Sequence, residues 1–444
     1  MAQLLIGKAA GGKFVCESRE VREYKDEDKY ELQVLNLYPE VTDQTVLGFG
    51  GALTDAACSV LEKMPKKQQE KILQSYFGPE GIGYNTVRVH LDSCDFSVRM
   101  YAAAKDWKAG SENNVFRFTK EQKRINKYLK RIGEILGKPV PVLLCPWSPL
   151  AAMKDNKSRI GGHLLKERYK DWADYVCHYI LEMEKLGFVI YAVTPQNEPN
   201  AWQIWDSSLY SAADEAEYIM TALAPALKQY GLEEVRICIW DHNKERVVER
   251  AGSILKSGAA PDVSGIAFHW YSGDHFDAVR IIHSLYPEKL LVFSEGCVGF
   301  GDRKAKTQLA DAEHYAHDMI GNLRGGMHVF YDWNIALDMQ GGPNHVANYC
   351  DAPILCDPEN GTYEKHLSFD YIGMITRAIQ PGAVRIETSV YTEEIENTAF
   401  RNPDGTMVLV LLNRKGRARK IHVRAAGKRC VVHLPSHAIA TLTI

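Results

Sequence analysis

Apolar residues in this chain fall into short runs that alternate with longer amphipathic segments. Between Val46 and Pro381, eight runs of four to eight residues are each followed by a polar loop and a candidate helix. In two of these helices, over 125–136 and 172–183, apolar residues recur three and four positions apart, as on one buried helical face. The pattern predicts eight successive βα units.

The predicted strands cover 46–53, 86–91, 141–145, 190–193, 236–240, 265–269, 290–293 and 327–331. Eight units of roughly 40 residues favour an α/β fold in which the strands close into a (β/α)₈ TIM barrel. The strand count alone leaves an open parallel sheet as the alternative. In both folds the active site lies at the carboxyl ends of the strands.

The two ends of the chain show strand patterns without helix patterns. They comprise residues 1–45 and 383–444, where the turn signal Asn402-Pro-Asp-Gly405 precedes the apolar run 406–412. Chain termini often lie close together in a domain. We therefore expect both ends to form one antiparallel β-sandwich side domain, attached to a barrel of residues 46–382.

The composition indicates a globular chain with a neutral partner. The 444 residues are 45% hydrophobic and 25% charged, with a formal net charge of −3. No tract of lysine and arginine stands out, so electrostatics favours neither a nucleic-acid partner nor an anionic membrane. No apolar run approaches the ~18 residues that a membrane span needs.

The ten cysteines are scattered without a CxxC pair, which favours buried, reduced thiols over disulfides or metal ligands. The only apolar cluster before Gly7 is Leu4-Leu5-Ile6, shorter than the ~7–15 apolar residues of a signal peptide. These two features lead us to expect a cytoplasmic protein.

Two of the predicted strands lead into a glutamate. One run begins at Tyr191 and stops at Asn197-Glu198-Pro199, and the other begins at Leu290 and ends in Glu295. Side chains at the carboxyl ends of barrel strands face the open mouth of the barrel. Two carboxylates there suggest an acid paired with a nucleophile or base, as in glycoside hydrolysis.

Further polar and aromatic residues follow the predicted strands. They are Asp55, Asp92, Asp95, Trp147, Asn197, Asp241, His242, His269, Trp270, Tyr271, Asp332, Trp333 and Asn334. Carboxylates and amides bind sugar hydroxyls, and aromatic faces stack on sugar C–H groups. No phosphate-binding glycine loop or metal-ligand cluster competes with a sugar site, so we expect neither a cofactor nor a metal. We interpret His242 and His269 as orienting or core histidines rather than bases.

Ordered motifs along nearly the whole chain give it a family resemblance. They are Gly48-Phe-Gly-Gly-Ala-Leu-Thr-Asp-Ala-Ala57, Arg88-Val-His-Leu-Asp-Ser-Cys-Asp-Phe-Ser97, Asn197-Glu-Pro199, His269-Trp-Tyr271, Ser294-Glu-Gly-Cys-Val298 and Asp332-Trp-Asn334. On these motifs the chain resembles glycoside hydrolase family 30, and within it the acid β-glucosidase (glucosylceramidase) branch. The resemblance implies a TIM barrel with a sandwich built from both termini.

The resemblance also implies residue roles. Glu198 would be the acid/base and Glu295 the nucleophile of a retaining β-glycosidase. The implied glycone subsite consists of Arg88, Asp95, Trp147, Asn197, Tyr271, Trp333 and Asn348. For these roles we expect the neighbours of Glu198 to raise its pKa, and the Tyr271 phenol to keep Glu295 ionised.

The segments 147–153 and 200–206 depart from the glucosylceramidase branch, which leaves the aglycone open. The expected substrate is a β-glucoside or gluco-oligosaccharide, with β-1,6-glucanase or β-xylosidase activity as the alternatives. Trp202 and Trp205 either stack on a leaving sugar or pack on the rim. A sugar-binding protein without catalysis would have lost one carboxylate, and both are present. These patterns specify neither the linkage nor the oligomeric state.

Overall fold

The computed structural model of the protein describes residues 1–27, 29–30, 32–299 and 307–444. The chain begins with four strands that belong to a side domain. They are β1 (Ala2–Ala10), β2 (Lys13–Val21), β3 (Tyr24–Lys25) and β4 (Val34–Thr45).

Eight parallel strands then close into a barrel. They are β5 (Gly48–Ala52), β6 (Thr86–Leu91), β7 (Pro141–Pro146), β8 (Val189–Val193), β9 (Arg236–Asn243), β10 (Gly265–His269), β11 (Leu290–Glu295) and β12 (Val329–Asp332). The pairing of β12 with β5 closes the ring. Each predicted strand has an observed counterpart, and the closed barrel is confirmed over the open sheet.

Helices packed on the outside follow the barrel strands. They are α1 (Asp55–Lys63), α2 (Lys66–Phe77), α3 (Lys120–Leu136), α4 (Tyr169–Glu184), α5 (Ala212–Tyr218), α6 (Ala224–Gln229), α7 (Val247–Ile254), α8 (Phe276–Leu285), α9 (Gln308–Arg324) and α10 (Leu367–Thr376). The two predicted apolar stripes lie on α3 and α4. Within the described ranges, no helix is long and apolar enough to cross a membrane.

Helix α3 shows how the sequence sets such boundaries. It begins after Thr119, whose side chain accepts a hydrogen bond from the backbone N–H of Gln122. It ends at Gly137, whose φ of 67° lies in the left-handed region that glycine adopts at helix ends. Ile125, Leu129 and other residues of its apolar stripe are buried against the barrel.

Nine further strands complete the chain. Three form a small sheet after the barrel: β13 (Leu337–Asp338), β14 (Ile354–Asp357) and β15 (Thr362–Lys365). Six belong to the side domain: β16 (Val384–Val390), β17 (Glu396–Arg401), β18 (Met407–Asn413), β19 (Arg419–Ala425), β20 (Lys428–Leu434) and β21 (Ala438–Thr443).

The side domain is a single ten-stranded sheet in the order β2-β1-β21-β18-β17-β16-β4-β19-β20-β3. Leu4 and Leu442 from one half of the sheet share a hydrophobic cluster with Ile421 and Val432 from the other half, as in a sandwich. Strand β4 joins the halves, since it pairs antiparallel with β16 and parallel with β19. The sequence predicted an antiparallel sandwich, and the parallel pairing of β4 with β19 departs from that prediction. Parallel strands need a long connection, which the barrel between β4 and β19 supplies.

Two β-bulges interrupt the barrel at its carboxyl-terminal edge. Between β9 and β10 the register skips Asp241, and between β10 and β11 it skips Ser294. Asp241 has a φ of 46°, and the Ser294 hydroxyl donates a hydrogen bond of 2.6 Å to its carboxylate. Bulges of this kind bend strands and redirect side chains beside active sites.

Candidate active site

The carboxyl ends of the barrel strands open onto a cavity of about 560 Å³. Its lining contains both glutamates singled out in the sequence. The lining residues are Asp95, Trp147, Asn197, Glu198, Gln203, Trp205, His242, Asn243, Trp270, Tyr271, Gly273, Glu295, Cys297, Val298, Gly299, His314, Trp333, Asn348, Tyr349 and Cys350.

Glu295 lies at the end of β11, and its side chain is 9% exposed. One carboxylate oxygen is paired with the guanidinium of Arg88, and the other accepts a hydrogen bond of 2.9 Å from the Tyr271 hydroxyl. Both carboxylate oxygens are thus bound by hydrogen-bond donors, which fixes the orientation of the side chain.

Arg88 projects from β6 and is completely buried behind this carboxylate rather than lining the cavity. Its guanidinium donates to Asn197 Oδ1 at 2.8 Å and to Asp241 Oδ2 at 3.0 Å. It also lies over the indole rings of Trp147 and Trp333, which stack on each other at 5.4 Å. Arg88 therefore contacts residues at the ends of five other barrel strands.

Glu198 lies in the loop after β8, with a φ of 46° that non-glycine residues rarely adopt. Its backbone N–H donates to the carbonyl of Asp241 at 2.9 Å, which anchors the loop to β9. Gln203 Nε2 donates to Glu198 Oε2 at 3.4 Å. The other oxygen, Oε1, lies 3.3 Å from His269 Nδ1 and 3.6 Å from His242 Nδ1.

The prediction of a raised pKa for Glu198 is wrong. Burial alone raises the pKa of this carboxyl, but the hydrogen bond from His269 and the charges of both histidines bring it below its usual value. The neighbouring imidazole of His269 has the raised pKa instead. Burial lowers the pKa of that imidazole, whereas Glu295 and the hydrogen bonds to neighbouring carboxylates raise it to about 9.

Asp241 connects these groups, although it does not line the cavity. Its carboxylate accepts from Arg88, from His269 Nε2 at 3.1 Å and from Thr194 Oγ1 at 2.9 Å. Burial raises its pKa, but the charge of Arg88 and the His269 contact hold the pKa well below the usual value. Sequence reasoning placed Asp241 at a strand end without a role, because the bulge that turns it inward has no sequence signature.

Asp95 and Asn348 form one wall of the cavity. Asn348 Nδ2 donates to Asp95 Oδ2 at 2.9 Å. Burial and the charge of Glu295 raise the pKa of Asp95 to about 8, so its carboxyl is largely protonated near neutral pH. Together the two side chains offer donors and acceptors beside the stacked indoles of Trp147 and Trp333, as a sugar ring requires.

Several of the predicted strand-end residues do not line the cavity and instead bind neighbouring side chains. Asp55 is paired with Arg124 at 2.8 Å, and Asp92 accepts from the Tyr175 hydroxyl at 2.9 and 3.0 Å. Asn334 Oδ1 accepts from Thr54 Oγ1 at 2.6 Å. Carboxyl-end position alone therefore does not distinguish ligand-facing residues from those that fix the loops.

The two loop tryptophans have different surroundings. Trp205 lines the cavity. Trp202 is 64% exposed and covers Gly161, where an added Cβ would lie 2.3 Å from the indole. The sequence patterns did not indicate four further lining residues, because they lie in loops or on α9 and carry no strand-end signal: Gln203, His314, Tyr349 and Cys350. Asn243 was also missed, because β9 extends three residues beyond the predicted end of that strand at residue 240.

Comparisons with known proteins agree with this architecture. Residues 46–379 match the glycosyl hydrolase family 30 TIM-barrel domain, and residues 382–442 match the glycosyl hydrolase family 30 beta sandwich domain. The chain is 31% identical to putative glucosylceramidase 4 of Caenorhabditis elegans over 391 residues, 84% of this chain and 75% of that protein. It is 30% identical to the lysosomal acid glucosylceramidase of Mus musculus over 399 residues, 86% of this chain and 77% of that protein.

Solved structures give the same result. SrfJ from Salmonella typhimurium superposes with a TM-score of 0.94 at 34% identity, over 100% of this chain and 99% of that one. The endo-β1,6-glucanase BT3312 superposes with a TM-score of 0.88 at 27% identity, with the same coverage of both chains. The barrel, the sandwich and these matches show that the chain belongs to glycosyl hydrolase family 30 and is a glycosidase that cleaves O-glycosyl bonds.

Proposed function

We propose that the chain is a retaining β-glucosidase in which Glu295 is the nucleophile and Glu198 the acid/base. One observation carries this assignment: the two glutamates of the cavity have opposite environments. Glu295 is bound by a guanidinium and a phenol, which stabilise an attacking anion. Glu198 contacts the proton-bearing imidazole of His269, which supplies a proton to a general acid.

In the first step, a Glu295 oxygen attacks the anomeric carbon and the bond to the leaving oxygen breaks. Glu198 gives its proton to that oxygen, and a glycosyl ester of Glu295 forms. The Tyr271 hydroxyl and the Arg88 guanidinium hold the attacking carboxylate in place. Arg88 also stays buried and paired throughout, because Asp241 balances its charge.

The proton reaches Glu198 along its 3.3 Å contact with His269. In the open cavity, water solvates the Glu198 carboxylate and the proton resides on His269. A bound sugar expels that water, which raises the cost of an ionised carboxylate and moves the proton to Glu198. In the second step, Glu198 removes a proton from water, and the water oxygen attacks the anomeric carbon. The bond from that carbon to Glu295 breaks, which releases the β-anomer and restores the Glu295 carboxylate.

Glucose is the sugar that we propose for the subsite formed by Asp95, Asn348 and the two tryptophans. Asp95 and Asn348 offer adjacent hydrogen-bonding groups, and the stacked Trp147 and Trp333 line the cavity beside them. Relatives named as glucosylceramidases and a neighbour named as an endo-β1,6-glucanase support the same sugar.

A second candidate is endo-β-1,6-glucanase activity. The specific support is the 27% identity and full-length superposition with an enzyme of that name. Trp205 and Tyr349 also line the cavity and offer aromatic faces to a second sugar. In this case the reaction at the two glutamates is unchanged, and only the length of the preferred substrate differs.

Product analysis separates the candidates. Proton NMR during hydrolysis of an aryl β-glucoside should show the β-anomer first. The same hydrolysis assay is run on a panel of substrates: β-1,6-, β-1,4- and β-1,3-gluco-oligosaccharides, an aryl β-xyloside and a glucosyl lipid. The Glu295→Gln variant is the inactive control. Initial α-anomer would contradict the retaining mechanism, and a preference for the β-xyloside above about tenfold would contradict glucose, since that ratio exceeds the effect of one weak contact.

A further inference from the structure

Glu198, His242 and His269 bring three possible metal-ligand atoms within 4.8 Å of one another. His269 Nδ1 and His242 Nδ1 lie 3.3 and 3.6 Å from the same oxygen, Glu198 Oε1. In a tetrahedral zinc site with bonds of about 2.0–2.1 Å, neighbouring ligand atoms are about 3.3–3.4 Å apart. The two separations from Glu198 Oε1 therefore match those of a tetrahedral zinc site, and the three ligand atoms all lie close enough together to face one ion.

His242 provides an independent observation. Its side chain is 13% exposed, and Nδ1 is a buried atom without a hydrogen-bond partner among the described residues. Leaving a buried polar atom unpaired costs about 1–3 kcal/mol, so such atoms usually have a partner. A bound cation would accept the Nδ1 lone pair and satisfy this atom.

The surroundings orient the other two ligands. Asp241 Oδ1 lies 3.1 Å from His269 Nε2, which directs the opposite ring nitrogen toward Glu198. Such carboxylate–histidine contacts are common behind the histidines of zinc sites. Gln203 Nε2 donates to Glu198 Oε2, so that Oε1 is the oxygen left facing both imidazoles. Glu198 and His242 also line the cavity, which leaves a coordination position open to water or a ligand.

We propose that Glu198, His242 and His269 form an inhibitory binding site for Zn²⁺. Two imidazoles and one carboxylate suit zinc or copper rather than Mg²⁺ and Ca²⁺, which prefer oxygen ligands. The ion binds both imidazoles and Glu198 Oε1, so Glu198 can no longer act as acid/base. Binding requires only these side chains, whereas inhibition rests on the proposed role of Glu198 as acid/base.

Direct binding is measured on the full chain with Zn²⁺ by titration calorimetry, and with Co²⁺ by visible absorption. We expect one ion per chain and the intense bands of four-coordinate cobalt. His242→Gln and His242→Asn should each weaken binding at least tenfold, with unfolding curves to show that the variants are folded. The matched control is His163→Gln, since His163 is an exposed histidine paired with Asp155 at 3.0 Å and does not line the cavity. It should leave the affinity unchanged.

The thiols of the same cavity are the competing zinc ligands, so Cys297→Ser and Cys350→Ser are tested as well. Absence of binding in the wild type would overturn the proposal. An equal loss of zinc affinity in His163→Gln would also overturn it, as would a loss of affinity in the serine variants but not in the His242 variants.

Zn²⁺ should inhibit hydrolysis of an aryl β-glucoside reversibly, with chelation restoring the rate, and Mg²⁺ should have no effect. Zinc binding without any hydrolytic activity would contradict the proposed function alone, whereas hydrolysis without zinc binding would contradict the metal site alone.

Discussion

The Tyr271 hydroxyl donates a hydrogen bond of 2.9 Å to Glu295, on the oxygen that Arg88 does not occupy. Tyr271→Phe removes this donor and keeps the ring. We expect kcat/KM for an aryl β-glucoside to fall about 10- to 100-fold, because a hydrogen bond to a charged group is worth about 1.5–3 kcal/mol. Steady-state kinetics together with a melting curve measure the effect.

Tyr349→Phe is the matched control for that substitution. Tyr349 lines the same cavity and is as exposed as Tyr271, at 43%, but its hydroxyl does not bond Glu295. Its loss should change kcat/KM by less than about threefold, since an exposed phenol contributes little. Equal effects of the two substitutions would show that the Glu295 contact has no special role.

The two glutamates should respond differently to azide. In Glu198→Ala the nucleophile remains, so an activated substrate still forms the glycosyl ester, and azide attacks it to give a β-glycosyl azide. In Glu295→Gly the carboxylate is missing, so azide enters from the vacated face and gives the α-azide. Either loss should lower turnover of unactivated glycosides by at least about 10²–10⁴. Proton NMR assigns the azides, and products of swapped configuration would reverse the roles.

Asp95 should make stability depend on pH. Its pKa is raised from 3.8 to about 8 in the folded protein, so the native state binds more protons than the unfolded state between these values. The contribution of Asp95 to stability therefore falls as the pH rises through that window. We expect Asp95→Asn to raise the melting temperature more at pH 8 than at pH 5.

The control for this measurement is Asp277→Asn on α8. The Asp277 side chain is 88% exposed, so its loss should change the melting temperature equally at pH 5 and pH 8. A pH-independent effect of Asp95→Asn would show that the Asp95 carboxyl is not protonated in the folded cavity.

His269→Gln tests the source of the acid proton. The raised pKa of His269 keeps a proton beside Glu198 up to about pH 9, and this proton is lost together with the imidazole. We expect the alkaline limb of the pH profile of kcat/KM to move to lower pH, because Glu198 then holds the proton alone. If the alkaline limb of the His269→Gln profile stays at the wild-type pH, His269 has only a structural role.

The sequence by itself determined the fold and the two glutamates. Eight apolar runs with helical stripes between them specify a parallel α/β fold and favour a barrel, because strand and helix periodicities differ and each must bury its apolar face. The closure of the barrel was decided by the pairing of β12 with β5. Glu198 and Glu295 were identifiable because each follows a buried strand at its carboxyl end. The motifs that carry the family resemblance lie at the same strand ends.

The tertiary structure decided the charges and the contacts between strand ends. The β-bulges direct Asp241 and Ser294 toward each other, which no local pattern predicts because a bulge depends on the neighbouring strand. The lowered pKa of Glu198 and the raised pKa of Asp95 arise from groups 71 or more positions away along the chain, such as His269 and Glu295. A pKa depends on burial and on charges within a few ångströms, and only the folded chain brings those charges together.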